Sequence, residues 1–446
     1  MNMYIDELKI QDLLYPNEFK CVCGKTHRST LRFCDIGSGT IGKLPERIRE
    51  YGFRKAMVYA DRNTWKAAGR EVDRALEGIP YILYTFADRD VFANESSVGQ
   101  ATLNFNDSCD VIIAVGTGTI NDISKTISRI SGKPYIIVGT APSMDGFASD
   151  TSSMVVDGLK ASVSTTSPLG VIIDTRILKD APSRMICAGV GDLAAKYISI
   201  CEWRISHIIN DEYYCPHVAN IMLNSLKSCM DNLEKLKQRD EEALGVVAEG
   251  LVLAGMAMSF AGVTRPASGM EHYFSHIWDM RALEFGYREY LHGEQVGVGT
   301  LIALGVYEKI RKVVPDREKA REKVYGFSLE KWNDHLREFL GNSSRNMILQ
   351  EKTEGKYDLT KWETRIDRII ERWDDILKVI NELPSRQEIY DKFKYIGAMT
   401  DISEMDISEE TARQTFMATK DIRDKYIGTR LLFDLGLIDE FAEELF

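Results

Sequence analysis

Two of the chain's seven histidines, His272 and His276, stand four apart in Gly269-Met270-Glu271-His272-Tyr273-Phe274-Ser275-His276. On a helix that spacing puts both rings on one face. His292 follows in Leu291-His292-Gly293-Glu294, where a helix-like continuation can present it to the same pocket. Upstream, Gly189-Val190-Gly191-Asp192-Leu193-Ala194-Ala195-Lys196 places an acid, Asp192, at what reads as the first turn of a helix. Taken singly, each has an ordinary explanation: a satisfied core histidine, or a helix cap. One carboxylate and two imidazoles with an open fourth position are also what a catalytic divalent metal needs. That donor set suits zinc, nickel or iron, and ligand type alone does not choose among them. A second cluster, Cys21 and Cys23 with His27, resembles part of a metal knuckle. No second ligand pair has matching spacing, so the segment reads as a hairpin.

Two glycine-rich loops compete for a dinucleotide. Gly37-Ser38-Gly39-Thr40-Ile41-Gly42 matches the dinucleotide fingerprint, with Asp61 at a plausible distance downstream, but a lone match is weak. The rival, Gly116-Thr117-Gly118-Thr119, directly follows the apolar run Asp110–Val115 and opens a helix at Ile120. Glycines there let backbone N–H groups at a helix start meet a pyrophosphate. The next strand ends in a second polar loop, Gly139-Thr140-Ala141-Pro142-Ser143-Met144-Asp145-Gly146. Two adjacent loops at the carboxyl edge of a sheet make a site, so the second location is preferred. Asp61 fits either choice as a ribose-binding acid that repels a 2′-phosphate, or as the N-cap of the following helix.

These residues need a scaffold, and the patterning supplies one. β-rich runs recur at Ala56–Ala60, Tyr81–Thr85, Asp110–Val115, Tyr135–Gly139 and Gly170–Asp174, alternating with helix-like segments. That predicts a mostly parallel, covered sheet over residues 1–180. From 181 to 446 nearly all segments show helical spacing, as in Met222, Leu223, Leu226 and Met230. The expected fold is therefore an α/β Rossmann-like N-terminal domain followed by an all-α domain with an extended C-terminal tail. A chain of 446 residues exceeds what one core usually serves. Its composition, 44% hydrophobic and 28% charged, is that of an ordinary globular protein. A net charge of −11 argues against nucleic acid as a partner. The N-terminus does not read as a signal peptide. No stretch approaches the roughly 18 apolar residues of a membrane helix. The eight scattered cysteines read as cytoplasmic thiols.

The blocks around Gly116, Asp145, Asp192, His272 and His292 together resemble the glycerol-1-phosphate dehydrogenases. That family lies within the glycerol dehydrogenase, dehydroquinate synthase and iron-type alcohol dehydrogenase superfamily. The blocks run in family order from about Leu31 to Leu304. Arg265-Pro266-Ala267-Ser268-Gly269-Met270-Glu271-His272 is the most specific of them, and the long tail resembles the bacterial form associated with arabinose operons. The resemblance implies a dehydroquinate synthase-like fold and NAD(P)-dependent reduction of dihydroxyacetone phosphate to sn-glycerol 1-phosphate. It implies that Gly116, Thr117, Gly118, Thr119 and Ile120 hold the cofactor pyrophosphate, and that Asp61, Thr140, Ser143 and Ser149 contact the rest of the cofactor. It gives Asp145 and His276 to the substrate, and Asp192, His272 and His292 to one divalent metal, nickel, zinc or iron. A homodimer or larger homo-oligomer acting on a small phosphorylated ketone, without nucleic acid or membrane, is the accompanying expectation. The competing readings are a dehydrogenase of unphosphorylated polyols and a non-catalytic NAD sensor. Arg265 and Lys196, in the two metal-bearing segments, are the candidate cations for a substrate phosphate, Arg265 first.

Overall fold

The continuous apolar runs become strands buried on both faces. In the computed structural model, which describes residues 5–88 and 91–446, six parallel strands form one sheet. They are β1 (Phe33–Gly37), β2 (Ala56–Asp61), β3 (Tyr81–Phe86), β4 (Val111–Gly116), β5 (Tyr135–Gly139) and β6 (Gly170–Asp174). Every residue of β4, β5 and β6 is buried, as expected of a parallel sheet covered on both faces. β1 does not stand out as an apolar run because Asp35 interrupts it; that carboxylate is held by Lys43 and Arg47.

The order across the sheet is β1-β6-β5-β4-β2-β3. The chain thus steps outward one way from β2 to β3, and the other way from β4 through β5 to β6. The carboxyl ends of β2 and β4 flank the point where direction reverses, and open α/β sheets take ligands in that crevice. Asp61 ends β2 and Gly116 ends β4, whereas Gly37 ends an edge strand. The helices that follow β2 and β4 are α1 (Arg62–Ala75) and α2 (Gly118–Ser131).

After β6 the described chain is helical. Its first long helices are α3 (Ser183–Ala194), α4 (Lys196–Asn210), α5 (Pro216–Asp231), α6 (Glu241–Ala261), α7 (Met270–Phe285) and α8 (His292–Ile310). Trp332, Trp362 and Trp373 of the tail sit on helices and are buried. The chain forms two compact units, each built from two stretches of sequence. The first is Met1–Leu193 with Cys215–Thr264, and the second is Ala194–Tyr214 with Arg265–Phe446. The change from α/β to helical character and the division into compact units are therefore different things, because α5 and α6 fold with the sheet. α6 is apolar around its circumference, with mean hydropathy 1.8, and is long enough to cross a membrane by length and composition. Here it packs along α5 as a core helix, and helices apolar on all sides are buried ones.

Candidate active site

The carboxyl edge of the sheet assembles the first group of candidate residues. Gly116 closes β4 opposite Gly139 of β5, and the N–H of Thr140 donates to Gly116 O at 3.1 Å, joining the two loops. Thr117, Gly118 and Thr119 are half-buried at the start of α2, so the free N–H groups of a helix N-terminus stand at the reversal point of the sheet. Thr140 and Ser143 are buried beside them. The Ser149 hydroxyl lies 2.9 Å from Lys125 Nζ and bonds to the carbonyls of Gly146 and Thr151. Asp61 caps α1, with Oδ1 accepting from Asn63 N–H and Thr64 N–H at 2.7 and 2.8 Å. The rival glycine loop is committed elsewhere. Gly39 N–H donates to Asp174 Oδ1 and Thr40 Oγ1 to Ile173 O, which pins that turn to β6.

Asp192 stands in the last turn of α3, not in the first turn of a helix as its surroundings predict, because α3 begins nine residues earlier, at Ser183. It is fully buried, and Oδ2 accepts the N–H of Asp145 at 2.9 Å. Gly189 makes this approach possible. A Cβ there would stand 1.9 Å from Pro142 O, so only glycine lets α3 lie against the loop after β5.

The second unit brings three imidazoles together. His272 and His276 share one face of α7 with ring centroids 6.4 Å apart, and His292 at the start of α8 lies 5.1 Å from His272 and 6.2 Å from His276. α7 and α8 touch at Gly299, where a Cβ would meet Glu271 O at 2.6 Å. The tautomer of His292 follows from its partners. Ser275 Oγ donates its single proton to Gln295 Oε1, whose amide is oriented by Asp279. The hydroxyl therefore accepts from His292 Nδ1–H at 3.1 Å. His272 Nδ1 stands 2.8 Å from Glu271 Oε1, which also accepts Gly269 N–H. Burial, with the charge of Glu202 adding to it, raises the Glu271 carboxyl to about 8. Burial first, and then His292, holds the pKa of His272 well below the usual imidazole range. Each ring is thus fixed through Nδ1 by an outer partner, and burial favours the neutral form of His272. That is the state in which histidine ligates a metal, and outer partners of this kind are general at metal-binding histidines.

Residues 35–182 match the iron-containing alcohol dehydrogenase family. A curated relative from Halalkalibacterium halodurans, glycerol-1-phosphate dehydrogenase [NAD(P)+], is 34% identical over 317 residues, covering 70% of this chain and 77% of the relative. The chain belongs to the glycerol-1-phosphate dehydrogenase family. A second member, from Bacillus licheniformis, is 28% identical over 424 residues, with 94% of this chain and 93% of that one aligned. The fold is shared at much lower sequence identity. Glycerol dehydrogenase of Schizosaccharomyces pombe superposes with a TM-score of 0.59 at 16% identity, over 93% of this chain and 90% of its own.

Within that family frame, Arg265 is not a substrate cation. It is 3% exposed, and its guanidinium is consumed by Glu212, Ser206 Oγ and Tyr426 O. We expect Arg265→Ala to cost about 3 kcal/mol, the lower end for breaking a buried pair because the Glu212 side chain keeps 30% exposure. Chemical denaturation checks this. The ratio of activities on phosphorylated and unphosphorylated ketones should not change in the variant that remains folded. Two lysines escaped the sequence reading. Lys125 is fully buried on α2 and donates to Gly146 O, Ser149 Oγ and Thr151 O, holding the loop that carries Asp145. Its only sequence signal was a charge three residues from Asp122 on an amphipathic helix. Lys425 comes from the tail and donates to Ser268 O, beside the histidine helix. Nothing in its local pattern separates it from neighbouring surface charges. Lys196 is buried and donates to Ala267 O in the same segment.

Proposed function

We propose that this chain reduces dihydroxyacetone phosphate to sn-glycerol 1-phosphate, and runs the reverse reaction, with NAD(H) or NADP(H) and one divalent metal ion. The reaction is that of the relatives' shared name. The observation that carries it is the convergence of His272 and His292, ring centroids 5.1 Å apart, each with Nδ1 held by an outer partner. Asp192 supplies the carboxylate of the set, a donor group of metal-holding type. When bound, the ion polarises the C2 carbonyl as a Lewis acid and the reduced nicotinamide supplies the hydride. The protein's part is to hold and orient. The Gly116–Ile120 backbone takes the pyrophosphate, Thr140, Ser143 and Ser149 border the rest of the cofactor, and Asp145 and His276 contact the substrate. Lys425 replaces Arg265 as the cation to test against the substrate phosphate, with Lys196 second. Nickel or zinc is the proposed ion, with iron admissible for the same donor set. Among the described residues no disulfide joins the cysteines, in line with a cytoplasmic enzyme. Homo-oligomerisation comes with the family reading and is tested by light scattering. The experiment for the reading itself is reduced-cofactor oxidation on adding dihydroxyacetone phosphate, present in metal-loaded protein and absent after chelation.

Asp61 gives a prediction free of structural confusion. Serine caps a helix nearly as well as aspartate, so Asp61→Ser keeps α1 capped while removing the charge. The kcat/KM ratio for NADPH over NADH should rise by about tenfold, equivalent to 1.4 kcal/mol, because a carboxylate repels the 2′-phosphate. An unchanged ratio with unchanged stability would remove Asp61 from the cofactor site and leave it a cap.

A further inference from the structure

A second cluster of ligand-type side chains lies wholly within the first unit. The hairpin Glu18–Lys20 and Thr26–Arg28 forms as the sequence predicts. Its turn folds Cys21-Val22-Cys23-Gly24-Lys25 so that Cys21 N–H donates to Lys25 O and Gly24 N–H to Cys21 O. The ligand missing from the local spacing arrives from 188 residues beyond His27: it is Cys215, the N-cap residue of α5. Cys21 Sγ stands 3.6 Å from Cys215 Sγ. His27 Nε2 stands 3.4 Å from Cys23 Sγ and 3.5 Å from Cys215 Sγ. All four ligand atoms lie within 4.8 Å of one another.

These separations have a definite meaning. Tetrahedral zinc has Zn–S near 2.3 Å and Zn–N near 2.05 Å, which places sulfur–sulfur edges at about 3.8 Å and sulfur–nitrogen edges at about 3.5 Å. The three edges given above lie within about 0.2 Å of those values. His27 is fully buried, and its Nδ1 stands 2.9 Å from Phe260 O. A carbonyl only accepts, so Nδ1 carries the proton and Nε2 turns its lone pair to the sulfurs, as outer partners of zinc-binding histidines arrange it. A disulfide would use two of the four groups and leave the convergence of the others without a cause.

We propose that Cys21, Cys23, His27 and Cys215 bind one Zn²⁺ in a closed, tetrahedral, structural site. It ties the N-terminal hairpin to α5 and, through the His27–Phe260 bond, to the end of α6. Four protein ligands leave no position for water or substrate, which marks the site as structural rather than catalytic. It shares no residue with the proposed Asp192, His272 and His292 set, so either can fail without the other.

Cobalt distinguishes the two, because only this set contains thiolates. The full chain, reduced, stripped of metal and reloaded with Co²⁺, should show sulfur-to-cobalt charge-transfer absorption saturating at one thiolate-bound ion per chain. Adding Zn²⁺ should bleach it. The band should persist in His272→Ala and vanish in Cys23→Ser/Cys215→Ser. Native protein should also have Cys21, Cys23 and Cys215 protected from alkylation by Zn²⁺ and exposed after chelation. Absence of the band in the reduced wild type at saturating Co²⁺ overturns the proposal. So does equal alkylation with and without Zn²⁺, or a Cys21–Cys215 disulfide found by non-reducing peptide mapping of freshly isolated protein. The wild-type arms decide the matter even where the double variant does not fold.

Discussion

His272→Ala is expected to lower kcat/KM on dihydroxyacetone phosphate by well over 100-fold and to leave the active-site metal unbound. Even outer-shell partners of metal ligands are worth about 10–100-fold, so loss of a ligand must exceed that. The fold should survive. Glu271 keeps its bond from Gly269 N–H, and the imidazole removed leaves a polar gap costing about 1–3 kcal/mol. His292→Ala should behave alike. Ser275→Ala should lose less, about tenfold, since it only fixes the His292 tautomer. Metal content by mass spectrometry, alongside circular dichroism and steady-state rates, checks the series. Full turnover by metal-free His272→Ala would remove the metal from the account.

The second large effect separates the two glycine loops. A Cβ at Gly118 would meet only Met144 Cγ, at 3.5 Å, an ordinary contact, so the protein itself tolerates a Cβ there, the first atom that Gly118→Val adds. A bound pyrophosphate would not, because the backbone must come close to it. KM for reduced cofactor should rise about 100-fold, some 2.7 kcal/mol, with the melting temperature nearly unchanged. Gly39 is the reverse case. Its φ of 78° is left-handed, and a β-branched residue there costs about 1–3 kcal/mol of stability. Gly39→Val should therefore melt earlier and bind cofactor normally. Swapped outcomes would place the pyrophosphate at Gly37–Gly42.

What the sequence displayed was whatever depends on local pattern. Runs such as Val111–Val115 announce buried strands because nothing polar interrupts them. The His272 and His276 spacing places both rings on one helical face, where the structure finds them. What stayed hidden depends on partners distant in the chain. β1 carries Asp35, whose burial makes sense only once Arg47 and Lys43 are in place. Arg265 looked available to an anion because Glu212 and Tyr426, which consume it, stand 53 and 161 residues away. Asp192 looked like the start of a helix because glycines precede it, yet Gly189 serves close packing against Pro142. The cysteine cluster read as a plain hairpin for want of Cys215.

The central claim, that this chain is a phosphorylated-ketone reductase, is tested most directly by comparing kcat/KM for dihydroxyacetone phosphate and dihydroxyacetone in the metal-loaded enzyme. Binding of a remote phosphate helps hold the carbonyl in place, so its removal should depress kcat as well as raise KM. The account predicts a preference for the phosphorylated ketone of at least about 1,000-fold, or 4.1 kcal/mol, with sn-glycerol 1-phosphate as product. Equal efficiency on the two ketones would contradict it and make the chain a dehydrogenase of unphosphorylated polyols.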